Sequence, residues 1–499
     1  MSIARKILSN TAWQFAAKFI VAAMGIVVIK ITTTYLSVNG SIAAYGQYLA
    51  VYEYLAYFGI IADLGLFTIA VKEMSKDEDN IPKIIGNVLT LRLMLITVTM
   101  LLAIILVFFI PKYNYPGSRI PLGVVIASMT VFMTILNGTI TSVLQTKFQM
   151  GRASVAVILG KILSVALMVY IIFWGFPQDI DSGFYMLIAA GIAGSMLMFV
   201  ISAYYVQKIT PIKPRFDMDV WRDVLKQSLP YGLALMLNTV YFRIDSIIIF
   251  FMRGEEELAV YGPAMKMLEQ FTILPLYFMN SVLPVLTRLI KSNSEKYREV
   301  IKHSFDLLSA LAVPMVVGTF VLAYPIVFVI ATPDFLSDLA RGFYGTDIAL
   351  QILIFALLFQ FINVLFAFIL ISVDKQKLLL YINAGCVVFN LVTNLIFVPT
   401  YGFRAAAVTS VLSELFILIF TFYYAKKHLP FTLPLKNFAK ISLSGAVMGL
   451  VVYYLQAPSY QYLQNWNVVF LVPFGALVYG IMIIATGTIN KKTLALLKK

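Results

Sequence analysis

Residues 83–110 read KIIGNVLTLRLMLITVTMLLAIILVFFI, twenty-eight positions with two charges, Lys83 at the start and Arg92 inside. The apolar residues do not alternate with polar ones, as a barrel strand requires. The run is longer than the ~20 residues that carry a helix across a hydrocarbon core. Thirteen other runs read the same way: 11–36, 42–71, 120–146, 153–175, 182–207, 224–252, 258–287, 300–330, 347–372, 378–398, 405–425, 438–455 and 466–486. The whole chain agrees with its parts. Of 499 residues 61% are apolar and 12% charged, and mean hydropathy is +0.88. A soluble chain of this length would form about three domains with polar surfaces, and there is too little charge to cover them. A soluble enzyme, a disordered chain and a disulfide scaffold are excluded; Cys386 alone makes no internal disulfide. The fold class is an all-α polytopic membrane protein with fourteen transmembrane helices. Arg5 and Lys6 precede an apolar stretch long enough to span, so no cleavable signal peptide is expected.

Orientation follows from the bias of basic residues. With the N-terminus in the cytoplasm, 27 of the 38 Lys and Arg fall on the cytoplasmic side, 5 on the outer side and 6 within spans. Both termini are therefore expected in the cytoplasm. The net charge of +14 then reads as topological signal and attraction to anionic lipid heads, and no nucleic-acid partner is expected. The largest central polar break, 208–226, contains Pro211 and Pro214; apolar positions 220, 221, 224 and 225 recur at helical spacing, as in a helix lying in the interface. Expected domains are a six-helix bundle at 1–207, the interfacial linker 208–226, a second six-helix bundle at 227–429, and a terminal pair with its tail at 430–499. A faint repeat supports the halves: Tyr45-Gly46 with Glu53 lies 216 positions before Tyr261-Gly262 with Glu269. Two parallel repeats flanking a site are a common transporter plan.

The stretch Ala62-Asp63-Leu64-Gly65-Leu66, ending in Lys72-Glu73, resembles the second helix of Wzx-type polysaccharide flippases. These belong to the multidrug/oligosaccharidyl-lipid/polysaccharide exporter superfamily. Ser228-Leu229-Pro230, Asp245, Tyr261-Gly262-Pro263-Ala264-Met265-Lys266 and Leu283-Pro284 resemble its seventh and eighth helices. The span count and central break fit along the whole chain. Lipid II flippases of that superfamily carry several arginines in the first two helices; this chain has Lys18, Lys30 and Glu53 there, which counts against that branch. The resemblance implies a V-shaped pair of bundles and alternating access for a lipid-linked sugar.

Ionisable groups inside spans are costly unless they face a cavity or a partner. Six cations lie there, Lys18, Lys30, Arg92, Lys161, Arg243 and Lys266, and five acids, Glu53, Asp63, Asp245, Glu269 and Glu414. Lys18, Arg92 and Lys161 fall in the cytoplasmic half, Arg243, Asp245, Glu53 and Glu269 near the middle, Lys30 and Lys266 in the outer half. Lys18, Arg92 and Lys161 have no acid at pairing distance on their own helices. Arg243 and Asp245, two apart, point to nearly opposite sides, whereas Lys266 and Glu269, three apart, are placed to pair. One reading is a cationic cavity for an anionic substrate, with a diphosphate held by Lys18, Arg92, Lys161, Arg243 and Lys266. The other is static ion pairing between helices. Glu53, Asp63, Asp245 and Glu269 are then either coupling sites for a proton or sodium ion or the neutralising partners; Asp63 also matches the family pattern. His303 and His428 read as solvated, and no metal-ligand spacing or phosphate-cradling glycine loop occurs. Pro263, Pro275, Pro284, Pro314 and Pro325 invite bends in the eighth and ninth spans, and Asn383, Asn390 and Asn394 share one face as interhelical glue.

The expected function is a flippase that moves a polyprenyl-diphosphate-linked oligosaccharide from the cytoplasmic to the outer leaflet of a prokaryotic plasma membrane. It needs no cofactor beyond a possible coupling H+ or Na+, and its partners are the lipid-linked substrate and membrane lipids. It is expected to work as a monomer near glycan polymerase or glycosyltransferases. A multidrug/cation antiporter of the same superfamily is the first alternative, and predicts a cavity dominated by acids. A membrane glycosyltransferase or polymerase is the second, and predicts a large soluble loop or a carboxylate cluster, whereas the longest assigned loops have about 16 to 17 residues.

Overall fold

A computed structural model describes residues 3–37, 40–77 and 79–487, leaving aside the side chains of residues 3–12, 231, 234, 238, 239 and 242. The tail 488–499, with four lysines of the orientation argument, lies outside the described residues, as do the side chains of Arg5 and Lys6. Among the described residues seventeen α-helices carry the fold. They are α1 (Ile3–Tyr35), α2 (Ala43–Asp63), α3 (Leu66–Lys76), α4 (Ile81–Phe109), α5 (Ile120–Thr146), α6 (Met150–Tyr170), α7 (Ile180–Gln207), α8 (Met218–Arg253) and α9 (Glu255–Phe271). Then come α10 (Ile273–Lys291), α11 (Tyr297–Val321), α12 (Ala323–Ile330), α13 (Thr346–Ser372), α14 (Gln376–Tyr401), α15 (Phe403–His428), α16 (Leu435–Leu463) and α17 (Val468–Ala485). Among the described residues there is no β-strand, only an isolated bridge between Asp338 and Phe343.

Twelve stretches among the described residues are long and apolar enough to cross a membrane. The last of these, Leu435–Ala485, holds two helices, α16 and α17. The more polar α8, 36 residues long, makes up the remainder. Each of the fourteen expected spans thus has a helical counterpart, and the chain is a multi-pass membrane protein.

Three expected spans are broken rods. The second breaks at Leu64 and Gly65, both left-handed, with φ of 44° and 71°. The eighth breaks at Thr272 and the ninth at Leu322. Pro275 and Pro325 each occupy the third position of the helix after the break, where a missing N–H leaves no intrahelical partner unsatisfied. Pro263, Pro284 and Pro314 stay inside continuous helices.

The interfacial segment differs from expectation. Residues 219–226 form the first two turns of α8 rather than a separate element. Their apolar stripe is covered by protein: Trp221 and Val224 are buried with Leu66, Ile69, Met74, Ile81 and Ile85, and Val220 and Leu225 pack at the edge. Helical spacing alone marks such a stripe but does not say whether lipid or protein covers it. Polar ties hold the helix start in place. The Asp217 carboxylate accepts from the N–H groups of Asp219 (3.1 Å) and Val220 (3.4 Å) and meets Lys83 Nζ at 2.8 Å. The Asp217 N–H donates to Asn87 Oδ1 at 2.7 Å. The Lys83 hydrogen bond, helped by the backbone donors, holds the Asp217 carboxyl below the ordinary carboxylate range.

The chain forms two compact units, Met1–Ala259 and Val260–Lys499. The division falls in α9, and α8 packs along α2, α3 and α4. In the first unit α5 is the hub, touching α2, α3, α4 and α7, while α6 joins α1 to α7. In the second, α13 is the hub, touching α10, α11, α12 and α15, with α16 on α11 and α17 on α16. The same order recurs: the fourth span of each half sits against the second, third and sixth.

Candidate functional site

One face of α2 carries Gly46, Glu53 and Tyr57, spaced seven and four positions apart, and Leu64 follows at the helix end. Three of them meet α8 or its exit. A Cβ on Gly46 would lie 1.9 Å from the Glu255 carbonyl oxygen, and one on Gly232 would lie 2.5 Å from the Leu64 carbonyl oxygen. Only glycine permits these two approaches, one at each end of the contact. Between them, Arg243 Nη1 meets Glu53 Oε2 at 2.7 Å.

The Arg243–Glu53 pair is open on one side. The Arg243 side chain is 25% exposed and that of Glu53 9%. One helical turn along, the Tyr57 hydroxyl is buried without a hydrogen-bond partner, and Glu53, Arg243 and Asp245 all lie within electrostatic reach of it. Asp245 itself is 3% exposed. The structure therefore brings together Glu53, Arg243, Asp245 and Tyr57, three of which the sequence singled out.

A second pair closes the lower end of α2. Arg92 on α4 is fully buried and ion-pairs with Asp63, the last residue of α2. Its Nη1 also donates to Thr139 Oγ1 at 3.0 Å and to the Ile135 carbonyl at 3.4 Å. Asp63 Oδ2 accepts from the Gly65 N–H at 3.2 Å. The carboxylate thus ties both sides of the helix break. It helps offset the left-handed backbone at Leu64, which costs about 1–2 kcal/mol for a residue with a Cβ. In this conformation Arg92 presents no surface to a ligand. The motif Ala62-Asp63-Leu64-Gly65-Leu66 is the break itself.

The remaining cations are placed separately. Lys161 on α6 is half-buried, and among the described residues no acid lies within ion-pair distance of it. Lys18 is exposed and Lys30 half-buried on α1. In the second unit Lys266 and Glu269 pair at 3.5 Å along α9, as their spacing predicts. There Glu414 accepts from Asn363 at 2.7 Å and joins α13 to α15, and Asn390 donates to Ser413 at 3.3 Å, joining α14 to α15. Both histidines are exposed. No group of three potential metal ligands occurs among the described residues.

A sequence model of the polysaccharide biosynthesis protein family matches residues 7–290, more than half of the chain. The chain belongs to that family. The matched region contains the whole α2–α8 contact and all nine sequence-predicted site residues. A MatE family model matches residues 230–396. An uncharacterised membrane protein of Methanocaldococcus jannaschii is 24% identical over 356 residues, covering 67% of this chain and 66% of that protein, just under two thirds of its length. Lipid II flippase MurJ in an inward closed conformation superposes with a TM-score of 0.71 at 17% identity, over 95% of this chain and 98% of that one. A multidrug resistance MATE family transporter of the MOP superfamily, inward-facing, gives 0.62 at 16% identity, over 84% and 97%. At these identities the likeness to the solved structures is one of fold. Tyr57 and Gly232 escaped the sequence reading, and Gly46 entered it only as part of the repeat. A glycine inside a helix costs about 1 kcal/mol relative to alanine, so the two glycines did carry a signal of close approach.

Proposed function

We propose that the protein is a flippase that carries a polyprenyl-diphosphate-linked oligosaccharide from the cytoplasmic to the outer leaflet by alternating access, without enzymatic chemistry. Lys161 carries this reading. A cation on a spanning helix, half-buried and without an acid at pairing distance, is costly unless water or an anion reaches it. Arg243 adds a second cation with exposed surface in a span. A diphosphate is the anion that best repays both. Lys18 and Lys161 capture it from the cytoplasmic side, Arg243 holds it near the midplane, and Lys266 receives it beyond. Arg92 and Asp63 keep the α2–α3 break rigid beside the path. Asp245 and Glu269 are the acids we assign to a coupling H+ or Na+. Both termini face the cytoplasm of a prokaryotic cell, and a monomer suffices. The halves 1–207 and 227–429 act as repeats, a reading supported by the shared hub arrangement around α5 and α13.

The test is surface glycan in cells lacking the native flippase. Lys161→Gln and Arg243→Gln are expected to abolish complementation at normal protein level. Wild-type glycan with both variants defeats the proposal. The MatE match over 230–396 favours a second reading, a multidrug/cation antiporter. That reading predicts resistance to cationic dyes on expression and tolerance of Lys161→Gln.

A further inference from the structure

The terminal helix pair holds a pocket outside the path just described. α16 ends at Leu463, a 3₁₀ turn spans Gln464–Asn467, and α17 starts at Val468. Between that turn, the end of α16 and the start of α12 lies a cavity of about 700 Å³, within the ~300–1,000 Å³ range of small-molecule sites. Its walls are Tyr324, Tyr453, Tyr454 and Tyr460, with the amides Gln456 and Asn467 among the other lining residues. No charged residue lines it. The four tyrosines are 44%, 61%, 73% and 50% exposed, so their ring faces are available.

The amide floor is built rather than incidental. Gln456 Nε2 donates to the Val321 carbonyl at 3.2 Å. Asn467 is 1% exposed, and its Nδ2 donates to the Gln456 carbonyl at 3.3 Å and Ser459 Oγ at 3.1 Å. That leaves Asn467 Oδ1 buried with no partner behind the pocket surface, while Gln461 and Asn465 complete the lining with amides that ligand hydroxyls can meet. The chemistry narrows the ligand. Phosphate or an acidic sugar calls for a cation, and none is present. An acyl chain would cover the Gln461 and Asn465 amides without giving them a hydrogen-bond partner. A neutral sugar ring presents C–H faces to tyrosine and hydroxyls to amides, matching both kinds of wall.

We propose that this pocket binds a neutral saccharide unit, an uncharged hexose or N-acetylhexosamine residue. Span alternation puts the α16–α17 turn on the outer side. The assignment of the saccharide to the glycan of the translocated lipid rests on the flippase reading; the binding itself does not.

The test is saturation-transfer difference NMR on the full chain in phospholipid nanodiscs. The probes are neutral trisaccharides of glucose, galactose, mannose and N-acetylglucosamine, with free glucuronic acid as the acidic counterpart. At least one neutral probe is expected to show transfer to ring protons, and at least fivefold less with Tyr454→Ala or Tyr460→Ala, while Tyr460→Phe retains it. Glucuronic acid should show little. No transfer to any neutral probe, or equal transfer to wild type and both alanine variants, overturns the proposal. In particular, if these tyrosines only anchor the protein at the membrane interface, the variants lower its thermal stability and no neutral sugar signal exists to lose. A positive NMR result with failed glycan complementation keeps the saccharide site and removes only its link to a lipid-linked substrate.

Discussion

Two ion pairs lie along α2 and use the same chemistry for different ends. Arg92–Asp63 is shut away on the arginine side, with the guanidinium fully buried and shared with Thr139 and Ile135. Arg243–Glu53 keeps a quarter of its arginine side chain exposed. The first pair sits where the helix breaks and the backbone is left-handed. The second lies between two glycine contacts where α2 meets α8. Burial of the cation, not the presence of a partner, separates a brace from a group able to exchange its carboxylate for a phosphate.

That contrast breaks most readily at Arg92. Arg92→Ala is expected to destabilise the fold by about 2–5 kcal/mol, because it empties a fully buried site and leaves the partly exposed Asp63 without its partner, and thermal unfolding in detergent reads it. The double variant Asp63→Leu/Arg92→Met should recover much of the loss; if it transports normally, the brace assignment is strengthened. Filling the glycine contacts comes next. Gly232→Leu or Gly46→Leu forces α2 and α8 apart and should cost about 1–3 kcal/mol, with transport impaired in proportion. Arg243→Gln should change stability less than Arg92→Ala, since a quarter of the arginine side chain is already exposed, yet lower transport at least tenfold. Glu53→Gln/Arg243→Gln should regain stability and not transport. The smallest effect is at the N-terminal tie of α8. The folded Asp217 carboxyl titrates below its unfolded value, so its contribution is present at neutral pH and is lost as pH falls through the folded value. Asp217→Asn should therefore flatten the acid limb of the stability profile while leaving neutral-pH transport near normal.

The sequence made the number and length of the spans plain, because a continuous apolar run of about 20 residues is stable as a helix in lipid and insoluble elsewhere. It also marked the charged residues of both ion pairs along α2. It did not show which charges meet. Asp63 and Arg92 are 29 positions apart on different helices, and Glu53 and Arg243 are 190 apart, so their pairing depends on how the helices pack. The 62–66 motif was recognised by resemblance; that it breaks the helix follows from Leu64 and Gly65 turning left-handed together. The stripe at 220, 221, 224 and 225 shows the converse limit. Its amphipathicity was legible, but whether lipid or the α3–α4 surface covers it depends on tertiary neighbours. The hub roles of α5 and α13 were invisible for the same reason.

The central claim is that the half-buried and exposed cations of the first unit exist for an anionic lipid. It is tested most directly in proteoliposomes, by following the movement of a fluorescent polyprenyl-diphosphate sugar from one leaflet to the other with wild type and Lys161→Gln. The account predicts transport that needs the diphosphate, is lost at least tenfold in Lys161→Gln, and is partly restored in Lys161→Arg, with all proteins equally folded. Equal rates for wild type and Lys161→Gln would contradict it.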